Sequence, residues 1–408
     1  MELSQCKERI DAWFSDKEPE MLSMLERIVN MDSFTNDAAD VNKVGEVVTG
    51  WLAEAGFHTA KLPKKPAPAD EQWMNGLGNV FSARTHSVEC GPGVAFIGHM
   101  DTVFPAGTAG ARPFRLDRAA DRATGPGVTD MKAGIVQNMF VARALKELGL
   151  MDVPMTLTFS PDEELGSPST TPILGEQLNG AQAVICTEPG YPGGGVTLER
   201  KGSGHMFLEI MGISAHAGRC YQDGASAILE LAHKILAFDA YVDLDHDTTV
   251  NTGLVNGGTS ANSVAPNASA IHITFKTLEA GRRLAEALRA ETAKNHIPGT
   301  SSHISGGVRL PPLVPTPGVM KLFSLAEQAG ELIGYSVHSA PSKGTAESGY
   351  CSSVLGVPAI CSMGPEGSNL HSADEYMIPS TFVPRCKLAA LTAIQAARAF
   401  APAAKVSL

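Results

Sequence analysis

Hydrophobic and polar positions in this chain fall into blocks that switch between two periods. Residues 18–57 hold two stretches of helical period, EPEMLSMLERIVNM and VNKVGEVVTGWLAEAG, each closed by a polar or glycine signal. Short apolar runs then alternate with helical segments: GNVFSAR, GVAFIGH at 93–99, a helix at 133–148, VPMTLTFS at 153–160, a helix ending near Asn179, and AQAVICTE at 181–188. This rhythm predicts an α/β fold, a mostly parallel sheet with helices on both faces.

The pattern changes near residue 200. The run HMFLEIMGI leads to a helix at 224–238, runs at 248–255 and 269–277, a helix at 278–294 and a last run near SSHISGGV. The order β-α-β-β-α-β predicts a ferredoxin-like α+β sandwich. After the spacer PPLVPTPG the α/β rhythm returns, with a helix at 318–333, a strand near Ser336, a helix after Ala346, the strand PAICSMG and a helix at 380–400. The expected organisation is a catalytic domain split into 1–200 and 311–408 around an inserted dimerisation or lid domain at 201–310.

Composition narrows the function classes. With 408 residues, 43% apolar positions and 18% charged ones, the chain has enough material for a sizeable core without disulfide or metal staples. Its formal charge of −11, without a Lys/Arg block, gives no footprint for nucleic acid or an anionic membrane surface. Small-molecule chemistry is favoured. The seven cysteines are scattered and contain no C-x-x-C pair, which fits a reducing compartment. The amphipathic, charged stretch MELSQCKERIDAWF does not read as a secretory leader, and no apolar run reaches the ~18 residues of a membrane span. A cytoplasmic location is expected.

Candidate chemistry collects at strand ends. In GVAFIGHMDTVF, His99 and Asp101 stand two apart at the end of an apolar strand, so period-two geometry turns both to one face. Asp130 follows the glycine-rich turn of TGPGVTDMKAGI and precedes a helix, where it serves either as an N-cap or as a group projecting from the framework. SPDEELGS places Glu163 and Glu164 side by side after an apolar strand, VICTEP adds Glu188, and the late loop GPEGSNLHSADEY adds His371. One histidine and carboxylates at four successive strand ends, with a remote histidine and no cysteine, form an N/O set suited to two zinc, cobalt or manganese ions. Adjacent carboxylates suit a division of labour, one binding metal and the other acting as general base. That chemistry is hydrolysis.

The motifs GHMDTV, GPGVTDMKAG, DEELGS, TEP, SAHAG and HSADEY, in this order, resemble the co-catalytic dinuclear metallopeptidase family of glutamate carboxypeptidase, acetylornithine deacetylase, succinyl-diaminopimelate desuccinylase and aminoacylase. The likeness covers about residues 20–400. It implies that Asp130 bridges two divalent ions, with His99 and Glu188 on one and Glu164 and His371 on the other, zinc being the first expectation. It further implies that Asp101 orients His99, and that Glu163 takes the proton of a water held between the ions and returns it to the leaving amine. A cis Asp130–Met131 peptide is implied as well. His216 in ISAHAG is implied to reach the active site of the other subunit of a homodimer and to polarise the scissile carbonyl. Asn262 in GGTSANSVAP matches a substrate-contacting asparagine.

The recognition shell departs from the family pattern. The strand NASAIHITFKT puts Phe275 or Lys276 where amino-acid-releasing relatives carry an arginine, and lysine lacks the bidentate fork that fits a carboxylate. Arg309 in GGVRLPP matches a second family arginine and remains a candidate carboxylate anchor. In PSKGTAESGY, Lys343, Gly344 and Thr345 form a turn suited to an anionic group, with Glu347 where relatives more often have aspartate. The leading expectation is therefore an amide hydrolase for a small N-acyl amino acid, peptide or glutamyl conjugate. An alternative keeps the metal site for hydrolytic deamination, or for another non-peptide C–N bond of a small carboxylated or aromatic compound. A catalytically silent scaffold is disfavoured by retention of all five ligands and Glu163.

Overall fold

The computed structural model describes residues 1–400 except 266, 269–270, 276–277, 341 and 343. Lys276 and Lys343 therefore lie outside the described residues. Two compact units are present, one built from 1–67, 72–200 and 313–408, the other from 68–71 and 201–312.

In the large unit, β1 (His58–Lys61), β2 (Phe81–Arg84), β3 (Val94–His99), β4 (Met155–Ser160) and β5 (Ala183–Cys186) join the short strand Ala359–Ile360 in one sheet. The spatial order is β1-β2-β4-β3-β5-(359–360). The ladders from β4 through β3 and β5 to the last strand are parallel, and those joining β1, β2 and β4 are antiparallel. Every residue of β3 and β4 is buried. Because successive side chains point to opposite faces, this means both faces are covered. That is why these strands read as continuous apolar runs. Fully buried side chains such as Phe96, Ile97 and Phe159 each contribute on the order of 1.5–3 kcal/mol. Edge strand β1, by contrast, is exposed at all four positions.

Local signals set the helix ends. Asp37 accepts hydrogen bonds from the Ala39 and Asp40 amides at 3.1 Å and starts the helix Ala38–Glu54. Thr316 accepts from Val319, with Pro317 as the first helical residue, to start Pro317–Ile333, and Gly334 in a left-handed conformation ends it. The strand read near Ser336 forms at His338–Ser339, in a separate two-residue ladder with Gly195–Val196 rather than in the main sheet.

The small unit contains β6 (Gly202–Met211), helix Ala227–Asp239, β7 (Thr249–Asn251), β8 (Asn267–Ala268), β9 (Ile271–Phe275), helix Leu278–Thr292 and β10 (Ser301–Leu310). β6 is central, with β10 on one side and β8 and β9 on the other, and β7 lies beyond β9. All ladders are antiparallel. Along β6, buried Met206, Leu208 and Ile210 alternate with exposed Phe207, Glu209 and Met211, so one face packs a core with Leu231, Phe238 and Leu288. Phe275 closes β9, pairing through its backbone with Gly202.

Candidate active site

Since β4, β3 and β5 are parallel neighbours, their carboxyl ends emerge along one edge of the sheet, where ligands bind in open α/β folds. His99 is the last residue of β3. Glu163 and Glu164 open a single 3-10 turn, Glu163–Leu165, just after β4, and Glu188 follows β5 by two residues. Asp130 lies in the irregular turn Val128–Lys132 that enters helix Ala133–Glu147, and the Asp130–Met131 peptide is cis. This helix start approaches β5 so closely that a Cβ at Gly134 would lie 2.1 Å from the Thr187 carbonyl oxygen. Only glycine permits that approach. His371 arrives from the late loop beyond Gly367–Ser368, with a positive φ of 60°.

These residues converge as two donor groups sharing one aspartate. His99, Asp130 and Glu188 form the first; Asp130, Glu164 and His371 form the second; within each group the ligand atoms lie within 4.8 Å of one another. His99 Nε2 is 3.1 Å from Asp130 Oδ1 and 3.7 Å from Glu188 Oε1. His371 Nε2 is 3.2 Å from Asp130 Oδ2 and 3.1 Å from Glu164 Oε2. Asp130 thus offers one carboxylate oxygen to each group. The donors are nitrogen and oxygen only, with separate oxygens on the shared carboxylate, which fits a pair of borderline divalent ions. Glu163 belongs to neither group.

Concentrated charge shapes the titration of these groups. Burial, then the charge of Glu188, holds Glu163 well above the usual carboxylate range. Burial likewise pushes Glu188 up to about 8. For Asp130 burial acts upward, but hydrogen bonds from His371 and His99 win and keep it low. His371 is raised to about 11 by its hydrogen bonds to Asp130 and Glu164. Burial works against protonation of His99, yet Asp101 and Asp130 hold it well above an ordinary imidazole. The concentrated carboxylates thus favour positive charge at this site.

A ring of hydrogen bonds fixes the donors. His99 Nδ1 faces the Asp101 carbonyl at 3.0 Å and the Asp101 carboxylate at 3.4 Å, which leaves Nε2 for the site. Asp101 also accepts from the Thr35 hydroxyl at 2.8 Å and from the Glu163 and Glu164 amides at 3.2 Å each, so one carboxylate aligns β3 with the turn after β4. Asp162, fully buried, braces the same turn by accepting from the Ser169 amide at 2.8 Å and from the Ser169 and Thr170 hydroxyls. Glu375 accepts from the Gly127, Thr129 and Asp130 amides at 2.9–3.0 Å and so shapes the turn carrying Asp130. Sequence reasoning missed Asp162 and Glu375. Their signal lay inside motifs already noted, as the first carboxylate of SPDEELGS and the second acid of HSADEY.

The expected recognition residues are spread over both units. In the small unit, exposed His216 and Asn262 lie on adjoining loops: His216 bridges to Ser263, and the Ala217 amide donates to the Asn262 carbonyl at 3.1 Å. Gly218 N–H donates to His216 Nδ1 at 3.1 Å, which assigns the imidazole proton to Nε2. Arg309 does not present a free fork, because Glu71 occupies it. In the large unit, the Gly344 amide donates to Ser342 Oγ at 3.2 Å, and buried Arg200 donates to Ser342 Oγ and to the Thr345 carbonyl at 3.3 Å each. Arg200, also missed in the sequence, therefore supports the Gly344–Thr345 turn from below.

Comparison with known proteins gives this geometry its context. Residues 95–395 match the description "Peptidase family M20/M25/M40". Carboxypeptidase G2 of Pseudomonas sp. (strain RS-16) is 25% identical over 381 residues, covering 91% of this chain and 88% of the relative. The M20 family metallo-carboxypeptidase Sso-CP2 from Sulfolobus solfataricus superposes with a TM-score of 0.72 at 16% identity, covering 93% of this chain and 99% of the other. The YXEP protein of Bacillus subtilis, described as a dinuclear metal-binding peptidase, gives 0.61 at 15% identity, covering 94% and 100%. The match spans the strands, the turn and the late loop that build both donor groups, and the chain accordingly belongs to peptidase family M20/M25/M40 as a metal-dependent hydrolase.

Proposed function

We propose that the chain is a two-metal amide hydrolase that releases an amino acid from a small N-acyl amino acid, peptide or glutamyl conjugate. The observation that carries this reading is Asp130, which gives one oxygen to each of two three-residue donor groups, while Glu163 feels the charge of members of both and belongs to neither. His99, Asp130 and Glu188 would hold one divalent ion, zinc first and cobalt or manganese next, and Asp130, Glu164 and His371 the other. When bound, the pair supplies Lewis acidity for the scissile carbonyl and acidifies water. Glu163, kept basic by burial and by Glu188, takes a proton from the attacking water and passes it to the leaving amine. Asp101 keeps the His99 ring aimed, and Glu375 keeps the Asp130 turn in place.

His216 of the partner subunit, with its proton on Nε2, donates to the developing oxyanion, and Asn262 contacts the substrate. A homodimer is supported by apolar exposure on the small unit, where Met211, Ile213, Leu236, Leu244, Leu254 and Val255 are all at least 49% exposed. Gly344, Thr345 and Lys343 form the candidate anion cradle, and Arg309 the candidate carboxylate anchor. Among the described residues, no helix is long and apolar enough to cross a membrane. We place the enzyme in the cytoplasm.

The test is product analysis of the zinc-, cobalt- or manganese-loaded protein on N-acyl amino acids, dipeptides, pteroyl-type glutamyl conjugates and aromatic amines, with amino acid and ammonia measured separately. Free amino acid is the expected product. Ammonia without amino acid would replace amide hydrolysis with deamination at the same centre.

A further inference from the structure

Glu71 and Arg309 form an ion pair outside the metal centre. Glu71 directly follows KLPKKPAPAD, in the long connection between β1 and β2. Residues 68–71, the tip of that connection, belong to the small unit although the chain on either side belongs to the large one. The Glu71 amide donates to the Pro68 carbonyl at 3.0 Å, which makes the tip a turn, and Glu71 is buried at 5% exposure. Arg309 Nη1 donates to Glu71 Oε2 at 3.2 Å and Nη2 donates to Oε1, a two-toothed grip.

Two features make this more than a surface ion pair. Arg309 sits where the register of β10 against β6 shifts between Val308 and Leu310, and such irregularities re-aim a side chain. Its Nε is buried and has no acceptor among the described residues. The guanidinium is therefore presented for a carboxylate, receives one from its own chain, and keeps its Nε–H donor beyond what that carboxylate uses.

We propose that Glu71 is an exchangeable occupant of the Arg309 fork, so that a small dicarboxylate, or the carboxylate of a substrate, enters the small unit only by displacing it. This deepens the proposed function and rests on it only for the identity of the natural ligand. Exchange keeps the guanidinium paired throughout, whereas simple opening would leave a desolvated charge alone. A tethered carboxylate acts at an effective concentration in the mM range or above, so free carboxylates should bind the wild-type chain weakly. Displacement also releases residues 68–71 from the small unit, which couples ligand entry to the mobility of the β1–β2 connection. Glu71 then sets specificity by raising the threshold that any carboxylate must exceed.

Direct binding tests this without turnover. Glutarate titrations by calorimetry would compare the full-length wild type, Glu71→Ala, Glu71→Gln and the double variant Glu71→Ala/Arg309→Gln. Glu71→Ala should bind glutarate at least tenfold more tightly than wild type, and the double variant should lose that gain; carboxylate binding at the metal centre is common to all and cancels. Glu71→Gln, which keeps the volume without the charge, should shift in the same direction and serves if the alanine variant does not fold. Saturating glutarate should also speed proteolysis of the wild-type 62–80 connection. Equal affinities in wild type and both single variants, or a gain that survives loss of Arg309, would overturn the exchange. Absence of amide hydrolysis would leave this result untouched, so the two readings fail separately.

Discussion

The two units treat their functional residues in opposite ways. In the large unit, His99, Asp101 and Asp130 are buried, hydrogen-bonded and aimed by the fold, and Glu188 is buried with its carboxylate 3.7 Å from His99 Nε2. In the small unit, His216 and Asn262 are exposed on loops, joined to each other by backbone contacts and held by local hydrogen bonds, from the Gly218 amide to His216 Nδ1 and from the Ser260 hydroxyl to Asn262 Oδ1. The chemistry is thus pre-set by the fold, at the cost of concentrating negative charge, whereas under the proposed function carbonyl recognition waits for a second subunit to complete it. If this contrast holds, changes in the large unit should alter the rate or the metal, and changes in the small unit should be repairable from another chain.

The largest effect should come from Glu163→Gln, which keeps the shape and removes the base. Turnover should fall by about 10²–10⁴ while metal content, measured by atomic emission, stays at the wild-type level. Unchanged turnover would remove Glu163 from the mechanism, and lost metal would make it a ligand. Next comes His216→Ala. Loss of an oxyanion donor should cost about 10²–10³ in kcat with metal content intact. Mixing it with Glu163→Gln should restore up to about a quarter of the wild-type activity per subunit, since random pairing makes half the dimers hybrid with one complete site each. No recovery on mixing would put His216 to work within its own chain and erase the contrast.

A smaller effect separates ligands from their supports. Asp101→Asn and Glu375→Gln leave all five donors in place but loosen the His99 ring and the Asp130 turn. Metal affinity, read by competition with a chelator, should weaken about 10–100-fold in each. An affinity equal to wild type would mean that the donors hold their geometry without these braces.

The legibility of the sequence divides along the same line. His99, Glu163, Glu164 and Glu188 could be read because parallel strands buried on both faces are continuous apolar runs, and a polar residue at such a run's end stands out. The β-α-β-β-α-β order of the small unit is readable from period alone, apart from the two-residue strand β8. Asp162 and Glu375 were not, because a carboxylate that braces a backbone looks, in sequence, like one that holds a metal. Nor was the Glu71–Arg309 pair, which joins residues 238 positions apart through a loop whose composition reads only as polar and proline-rich. Long-range partnership leaves no local period to detect.

The smallest predicted effect probes how far the buried character of the large unit extends. Glu347 is 3% exposed and accepts from the Ser167 hydroxyl at 2.7 Å, tying its loop to the turn that carries Glu163 and Glu164. Burial, opposed by hydrogen bonds from Ser160 and Ser167, raises it to about 7 from an ordinary value of 4.5. A carboxyl raised on folding binds its proton more tightly in the native state. Its stabilising contribution is complete below the unfolded value and is lost as pH rises through the folded one. The Gln side chain of Glu347→Gln has no proton to lose, so the stability of this variant relative to wild type should increase between pH 4.5 and 7, by no more than about 3 kcal/mol. Urea unfolding at a series of pH values measures the difference. A profile parallel to wild type would show that Glu347 titrates in the folded state as it does in the unfolded chain, and that the dry environment ends at the metal centre itself.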